Sequence, residues 1–455
     1  MPLSPKEILL SVFRREIPER VPWVPFAGVH CASLKGYSAE EVLKDPDKLV
    51  ECLLEVNRFY SPDGQPVVFD LQIEAEILGC ELQWSAKSPP SVRTHVLENT
   101  KEIDLSPPQA GQGRLPMILK AMRQMKTKVG ATTALFGLVC GPFTLASHLR
   151  GTNIFMDMID DEDYVDKLLS FCVKTTLRMT ELYIEAGMDV IALVDPMVSQ
   201  ISPAHFNRFL SRPFSDCFDH IRRRRRFSAM FVCGDATKNL DPICHTAPDS
   251  LFVDENIDIE KAKIVTDSHN VVIGGNLPLT TVMLLGTQQD NMKYAIDLMT
   301  KVGGRNFILA PGCDMPFDVP RDNVIGVTEA VRNTVMAKKM LEGYTKRDAT
   351  VDVELPEYKK LIKPLVEVFT LDSDACAACG YMKAAVVEAQ AYFGDRIESI
   401  EYKFTTTENI SRVQKLGIKN LPSMLINGEL AFSSIIPSRK ELYEKISRYF
   451  KTGNP

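Results

Sequence analysis

Two apolar runs of this chain end in a cysteine, Phe227-Ser-Ala-Met-Phe-Val-Cys233-Gly234 and Asn306-Phe-Ile-Leu-Ala-Pro-Gly-Cys313. Each run has the length and continuous apolar character of a strand that is buried on both faces, as strands of parallel sheets are. If both runs are strands of one parallel barrel, both cysteines lie at its C-terminal mouth. Two thiols at one mouth indicate a zinc site, because zinc accepts sulfur ligands.

Short apolar runs alternate with long amphipathic stretches from the N-terminus to about residue 340. Eight alternating β and α units predict an α/β fold, a (β/α)₈ TIM barrel over residues 1–340, with its chemistry at the carboxyl ends of the strands. The predicted strands are Val21–Gly28, Pro66–Leu71, Ala134–Gly141, Met188–Pro196, Phe227–Gly234, Ser250–Glu255, Val271–Asn276 and Asn306–Cys313.

Polar or metal-competent residues end almost every predicted strand. They are His30 and Cys31, Asp70, Cys140, Asp195, Cys233, Asp254 and Glu255, Asn276, and Cys313. We predict that Asp195 and Asn276 contact the substrate. Capping of the next helix remains an alternative for each Asp or Asn, since these residues often begin loops.

The pattern changes after residue 340. Residues 341–362 are polar and predict a linker, and residues 363–455 predict a second domain. Its elements follow the order β-α-β-α-β-β-α, which is typical of a thioredoxin-like domain. They are strand Leu365–Leu371, helix Cys376–Phe393, strand Ile397–Phe404, helix Glu408–Leu416, strands Ser423–Ile426 and Glu429–Phe432, and helix Arg439–Phe450.

A cysteine pair, Cys376-Ala-Ala-Cys379, begins the first helix of this second domain. A helix N-terminus favours thiolate, so Cys376 is the expected attacking thiol and Cys379 the resolving one. The stretch from Gly417 to Gly428 resembles the thioredoxin-family segment whose proline, here Pro422, is cis and lies beside the dithiol. A structural cysteine pair or half of a zinc site remain alternatives.

Composition narrows the classes of function. A net charge of −6 argues against broad binding of nucleic acid or anionic membranes. No apolar stretch reaches the roughly 18 residues of a membrane span. The N-terminus lacks the basic and apolar regions of a signal peptide, and the 11 cysteines are scattered. We therefore expect a cytoplasmic protein with reduced cysteines.

Several stretches resemble the uroporphyrinogen decarboxylase superfamily over roughly residues 5–335. They are Pro66-Val-Val-Phe-Asp70, Cys140-Gly-Pro-Phe-Thr-Leu-Ala-Ser-His-Leu, Ile201-Ser-Pro-Ala-His-Phe, Gly274-Gly-Asn-Leu-Pro and Ala310-Pro-Gly-Cys-Asp-Met-Pro. The resemblance implies the barrel fold and one of two chemistries. One branch decarboxylates porphyrinogens without a cofactor, and the other uses zinc to move a methyl group from a corrinoid protein to a thiol such as coenzyme M.

The decarboxylase branch holds substrate carboxylates with an arginine-containing loop after its first strand. This chain has Phe26-Ala-Gly-Val-His-Cys-Ala at that place, without arginine, although Asp70 matches the branch's catalytic aspartate. In the methyltransferase branch zinc is bound by a His-x-Cys after the fifth strand and a cysteine after the eighth. Cys233 and Cys313 match those cysteines, whereas Phe231 stands at the histidine position. His30 is the expected replacement ligand, with Cys31 and Cys140 as alternatives.

The leading hypothesis is a zinc-dependent methyltransferase that moves a methyl group between a corrinoid (methylcobalamin) protein and a small thiol. The attached dithiol domain would either keep the barrel cysteines reduced or bind a redox partner. The first alternative is a cofactor-independent decarboxylase of a tetrapyrrole-like acid that uses Asp70. The second is a metal-free barrel that serves as a scaffold for the redox domain.

Overall fold

A computed structural model describes residues 3–345, 351–371, 373 and 377–450 of the chain. The chain divides into two compact units, Met1–Thr345 and Lys346–Pro455. The predicted linker, residues 341–362, straddles this division. Residues 351–360 are held within the second unit, because Arg412 donates to the carbonyl of Glu354 at 3.1 Å and Lys415 donates to that of Val353 at 2.7 Å.

A seven-stranded parallel sheet forms the centre of the first unit, in the order β1-β4-β5-β6-β7-β8-β9, which is consistent with a TIM-like barrel. Two further strands, β2 and β3, make a small antiparallel pair. The strands are β1 (Gly64–Pro66), β2 (Leu82–Gln83), β3 (Ser91–Val92), β4 (Ala134–Cys140), β5 (Val190–Val194), β6 (Phe227–Val232), β7 (Ser250–Val253), β8 (Val272–Leu277) and β9 (Phe307–Pro311).

The segment around Trp23 lies between β9 and β1 and takes the eighth place in the ring. Trp23 forms a parallel bridge with Leu309, and its carbonyl accepts the N–H of Asp63 at 2.9 Å, just before β1. The predicted strand Pro66–Leu71 forms earlier in the chain, as β1 at Gly64–Pro66. The predicted strand Val21–Gly28 does not form as a full strand. Pro22 and Pro25 lack the N–H groups that a longer ladder requires.

Aromatic side chains fill the interior of the sheet. Phe26, Phe136, Phe231 and Phe252 are fully buried. The ring centroid of Phe231 lies 4.8 Å from that of Phe26 and 5.5 Å from that of Phe252. The centre of the barrel is therefore a packed core, and any chemistry has to occur at its ends.

Helices surround the sheet, and most of the long ones connect consecutive strands. None of the helices in the described residues is long and apolar enough to cross a membrane. The helices of the first unit are α1 (Pro5–Phe13), α2 (His30–Ser33), α3 (Ala39–Lys44), α4 (Pro46–Tyr60), α5 (Ile73–Ile77), α6 (Leu115–Lys128), α7 (Pro142–Arg150), α8 (Asn153–Asp160), α9 (Glu162–Glu185), α10 (Pro203–His205), α11 (Ser211–Arg223), α12 (Leu240–His245), α13 (Ile259–Ser268), α14 (Gln288–Val302), α15 (Arg321–Arg332) and α16 (Thr334–Met340).

The second unit is a four-stranded sheet in the order β11-β10-β12-β13, in which only β10 and β11 run parallel. Helices α17 and α19 pack on one face and α18 on the other. The elements are β10 (Leu365–Thr370), α17 (Ala377–Phe393), β11 (Glu398–Lys403), α18 (Thr407–Lys415), β12 (Ser423–Ile426), β13 (Glu429–Ser433) and α19 (Arg439–Ser447). Their order along the chain is the predicted one.

Asp63 holds the closure of the barrel together, so its removal is expected to destabilise the first unit. Its carboxylate accepts two hydrogen bonds from Arg20, at 2.6 and 2.7 Å, and the backbone N–H of Trp23 at 2.8 Å. Asp63→Ala leaves a buried N–H and a guanidinium unpaired, which is expected to lower the free energy of unfolding by about 3 kcal/mol.

Urea unfolding followed by tryptophan fluorescence measures this loss, because Trp23 and Trp84 both lie in the first unit. The control is Asp297→Ala, which removes an exposed ion pair with Lys293 and is expected to change stability by less than about 0.5 kcal/mol. Equal effects of the two substitutions would contradict the assigned role of Asp63.

Candidate metal centre at the barrel mouth

Cys233 and Cys313 meet at the carboxyl end of the sheet. Cys233 follows β6 and Cys313 lies two residues beyond β9. Their Cα atoms are 6.0 Å apart and their sulfur atoms are bonded to each other in the structure, so the prediction of reduced cysteines is wrong for this pair. Both side chains are partly buried and pack against the barrel core. The structure therefore brings together the two cysteines that the sequence singled out.

Two polar side chains hold the loops that follow β6 and β7, next to Cys233. The carboxylate of Asp254 accepts the N–H of Gly234 at 2.8 Å, and so fixes the peptide that follows Cys233. Asn276 donates its side-chain amide to the carbonyls of Asp254 and Ile257, both at 2.9 Å. The amide nitrogen of Asn276, a predicted substrate contact, is thus engaged in holding the loop after β7.

Glu255 is a site residue that the sequence placed at a strand end without assigning it a role. Gly312 packs so tightly against Glu255 that a Cβ at Gly312 would lie 3.2 Å from the Cβ of Glu255. Burial, with the neighbouring Asp254 adding to it, raises the pKa of Glu255 to about 8. The Cβ of Glu255 therefore lies beside the backbone that precedes Cys313, while its carboxylate accepts the backbone N–H of Leu279 after β8. A cation near this carboxylate would stabilise its charged form.

Phe231 occupies the position at which the resemblance expects a histidine. Its side chain is fully buried among the aromatic rings of the barrel interior, with Phe69 at 5.8 Å between centroids. The ring fills space in the core and offers no lone pair to a metal. If this mouth holds a metal, its third ligand comes from another strand end.

His30, the predicted third ligand, is fully buried at the start of α2. Its Nδ1 lies 3.1 Å from the carbonyl oxygen of Phe317, and its Nε2 lies 2.7 Å from the hydroxyl of Tyr60. Burial lowers the pKa of His30 to about 4, so the ring is neutral at pH 7. Nδ1 then donates to the carbonyl and Nε2 accepts from Tyr60, which leaves neither nitrogen free for a metal.

The two alternative cysteine ligands are buried elsewhere. The thiol of Cys31 is hydrogen bonded to Cys52, and this contact, together with burial, raises the pKa of Cys31 well above its usual value. Cys140 is fully buried, and its sulfur lies 3.7 Å from the carbonyl oxygen of Gly141. Burial also raises the pKa of Cys140. Both residues are held as neutral thiols.

Asp195, the second predicted substrate contact, caps helix α7. Its carboxylate accepts the backbone N–H of Phe143 at 2.9 Å and that of Thr144 at 3.0 Å, and also the hydroxyl of Thr144 at 2.6 Å. The side chain is fully buried, and burial raises the pKa of Asp195 to about 7. Asp195 does not cap the short helix that follows it, which was the alternative left open by the sequence, because its side chain makes no cap bond there. It instead accepts backbone N–H groups at the start of α7, which precedes it in the chain.

Asp70, the predicted catalytic aspartate, is buried in an ion pair. Arg114 donates to its carboxylate at 2.7 Å, and the same guanidinium donates to Glu76 at 2.6 Å. The backbone N–H of Gln72 donates to the other oxygen of Asp70 at 2.9 Å. The carboxylate is therefore held by charge and hydrogen bonds from the protein itself.

The predicted dithiol site falls only partly within the described residues. Cys376 lies outside them, whereas Cys379 is buried on α17. The peptide bond between Leu421 and Pro422 is cis. The role of this pair as a redox centre stays a prediction.

The profile of the uroporphyrinogen decarboxylase (URO-D) family matches residues 4–334. The chain belongs to this family. The match covers the first unit almost completely and ends before the second, so the fold and mouth described above are those of a URO-D family barrel.

The relatives of this chain include both methyltransferases and decarboxylases. The chain is 28% identical over 338 residues to the methylcobamide:CoM methyltransferase MtbA of Methanosarcina acetivorans, covering 72% of this chain and 98% of the relative. It is 21% identical over 315 residues to the uroporphyrinogen decarboxylase of Koribacter versatilis, covering 66% and 88% respectively. A solved methyltransferase from Methanosarcina mazei superimposes with a TM-score of 0.65 at 23% identity, over 75% of this chain and 99% of that one, and shows the fold. The MtbA match supports the predicted methyltransferase activity and a connection to corrinoids.

Glu74 is a buried acid that no sequence pattern marks. Because of its burial, we expect the stability of the first unit to depend on pH. One of its oxygens accepts the N–H of Cys140 at 3.0 Å. Burial raises the pKa of Glu74 to about 8 from an ordinary value of 4.5. Between these values the folded state keeps a proton that the unfolded state has lost, so the contribution of Glu74 to stability falls as pH rises.

Glu74→Gln retains the acceptor and removes the titration. The stability of the variant relative to the wild type is therefore expected to rise between pH 5 and pH 8, by on the order of 2 kcal/mol. Urea unfolding monitored by tryptophan fluorescence at several pH values measures the difference, with the exposed Glu40→Gln as a control. A difference that is constant with pH would show that Glu74 is not held protonated.

Proposed function

We propose that this protein is a zinc-dependent methyltransferase that moves a methyl group between a corrinoid protein and a small thiol. The observation that carries the proposal is the meeting of Cys233 and Cys313 at one mouth of a URO-D family barrel. The similarity to methylcobamide:CoM methyltransferases supports it, because those relatives act on a methylated corrinoid and coenzyme M by name.

The mouth supplies zinc with two thiolates when Cys233 and Cys313 are reduced. These two residues are not part of the one group of three in the described residues whose ligand atoms lie within 4.8 Å of one another. A catalytic zinc uses three protein ligands and keeps a position for substrate. Cys233 and Cys313 supply two thiolates, and we propose Glu255 as the third ligand. One oxygen of Glu255 accepts the N–H of Leu279, and the other oxygen is the ligand atom in this proposal. His30 is less suited to that role, since both of its ring nitrogens are engaged. When bound, zinc supplies the charge that turns a neutral substrate thiol into a nucleophilic thiolate.

The protein's own groups shape the mouth for that chemistry. Asp254 holds the peptide after Cys233, and its partner Asn276 holds the backbone of Asp254. The aromatic core below the cysteines, with Phe231 at its top, keeps water from the inner side of the site. A thiolate in a poorly hydrated site is a stronger nucleophile, because less solvent has to leave before attack.

The decarboxylase alternative gains no support from the geometry. Asp70 forms a buried ion pair with Arg114. The segment Phe26–Ala32 contains no arginine or lysine to bind the carboxylates of a tetrapyrrole. An acid with many carboxylates needs fixed guanidinium groups at its binding site.

For the second unit we propose a thioredoxin-like dithiol domain that reduces the barrel cysteines. In this exchange the thiols of Cys376 and Cys379 give up two electrons and two protons and become a disulfide, and the bond between Cys233 and Cys313 becomes two thiols. Only the reduced cysteines can bind zinc, since thiolates are the ligands. The order of elements in the unit supports the assignment.

Zinc content tests the proposed ligands. The reduced wild type is expected to bind zinc at this mouth, and Cys233→Ser and Cys313→Ser are each expected to lose that ion together with methylation of coenzyme M by methylcobalamin. Cys217→Ala is the control, because Cys217 is buried on α11 away from the strand ends. Retention of this zinc by both serine variants would overturn the site.

The variant Glu255→Gln tests the role of the carboxyl group separately from that of the two thiols. Loss of the negative charge is expected to weaken zinc binding by about tenfold or more while the fold is kept, since glutamine still offers an oxygen to the N–H of Leu279. The comparison is His30→Asn, which is expected to leave zinc affinity unchanged. Weaker zinc binding in the His30 variant alone would identify His30 as the third ligand instead.

A further inference from the structure

A second cluster of metal-competent side chains lies on the surface of the barrel. It consists of Asp241 and His245 on α12 and His269 at the end of α13. Each of the three side chains offers one ligand atom, and these atoms all lie within 4.8 Å of one another. No other group of three or more His, Cys, Asp or Glu side chains in the described residues meets this criterion.

Asp241 lies between the two imidazoles. One of its carboxylate oxygens lies 3.0 Å from Nε2 of His269, and the other lies 3.4 Å from Nδ1 of His245. The two imidazole rings are 4.4 Å apart between centroids and inclined at 63°. The carboxylate of Asp241 therefore contacts a ring nitrogen of each histidine and joins two neighbouring helices.

The position of the proton on the His245 ring leaves Nε2 able to bind a metal ion. Its Nδ1 lies 2.9 Å from the backbone carbonyl of Asp241, one helical turn earlier. A carbonyl can only accept, so Nδ1 carries the proton and Nε2 carries a lone pair. Metal-binding histidines commonly donate their other ring N–H to a backbone carbonyl in this way, which fixes the ring and raises its basicity.

We propose that Asp241, His245 and His269 bind a divalent transition metal ion, with Zn²⁺ as the probe. Two histidines and a carboxylate form a ligand set that such ions accept, with further positions left for water. Zinc bonds of about 2.1 Å place tetrahedral ligands roughly 3.4 Å apart. The side chains of Asp241 and His245 are about two-thirds exposed, at 63% and 62%, so they are free to turn by the small amount required.

This site is independent of the cysteine pair. His245 lies five residues before β7 begins and His269 three residues before β8 begins, so the cluster lies toward the N-terminal ends of the strands. The cysteines lie at the opposite, carboxyl ends. An ion held here would cross-link two successive helices of the barrel wall, and its binding would stabilise the folded state by mass action.

The alternative is an ion-pair cluster without a metal, in which Asp241 pairs with protonated imidazoles. The two cases differ in their response to zinc. An ion-pair cluster gains nothing from added zinc at neutral pH, whereas a metal site binds one equivalent and raises the melting temperature.

The test uses the full chain carrying Cys233→Ser and Cys313→Ser, so that the mouth does not contribute zinc. Titration with Zn²⁺ at pH 7.5 is expected to show one equivalent bound and a melting temperature raised by several degrees. His245→Ala, His269→Ala and Asp241→Asn are each expected to weaken binding at least tenfold and to abolish the rise. His205→Ala is the matched control, because His205 lies outside the cluster and its ring is tilted against that of Phe209.

Chemical modification of histidine gives a readout that does not depend on stability. Zinc is expected to protect His245 and His269 from diethyl pyrocarbonate and to leave His205 reactive. Zinc binding that is equal in His245→Ala, His269→Ala and the parent, or modification of both histidines at the same rate with and without zinc, would overturn the site. Either result leaves the proposed chemistry of the cysteine pair untouched.

Discussion

The curvature of one parallel sheet brings Cys233 and Cys313 together. Cys233 and Cys313 follow strands that are three steps apart in the order β6-β7-β8-β9. Neighbouring strands are spaced about 4.8 Å apart, so a flat sheet would separate these residues by roughly 14 Å. Their Cα atoms are 6.0 Å apart because the sheet curves and its strand ends turn inward. The closeness of Gly312 to Glu255 is part of that inward turn.

Closure of the barrel also decides the protonation of the acids at the strand ends. Glu255 and Asp314 accept backbone N–H groups, and Asp195 accepts backbone N–H groups and the hydroxyl of Thr144. Burial raises the pKa of Asp314 to about 8. With a pKa of about 8, Glu255 and Asp314 are largely neutral at pH 7, whereas Asp195, with a pKa of about 7, is about half protonated there. A bound cation would favour the charged form of whichever acid it contacts.

The sequence predicted the elements of the fold well, because periodicity and strand length are local properties of the chain. Cys233 and Cys313 could be paired from sequence because each ends a continuous apolar run. The roles of Asp195 and His30 could not be predicted, since they depend on partners far along the chain, Thr144 and Tyr60. Glu255 was visible as a strand-end residue, but only the contact with Gly312 places it next to the cysteine backbone. The surface group of Asp241, His245 and His269 joins two helices through a contact that no local pattern reveals.

The central claim is that reduced Cys233 and Cys313 hold a zinc ion that activates a thiol. X-ray absorption at the zinc edge tests it most directly, with the full chain carrying His269→Ala so that surface zinc does not contribute. We expect the zinc ion to have two sulfur ligands at about 2.3 Å, with oxygen atoms as its remaining ligands. Addition of coenzyme M is expected to add a third sulfur ligand. A zinc shell without sulfur, or a sulfur count that does not change with the thiol, would contradict it.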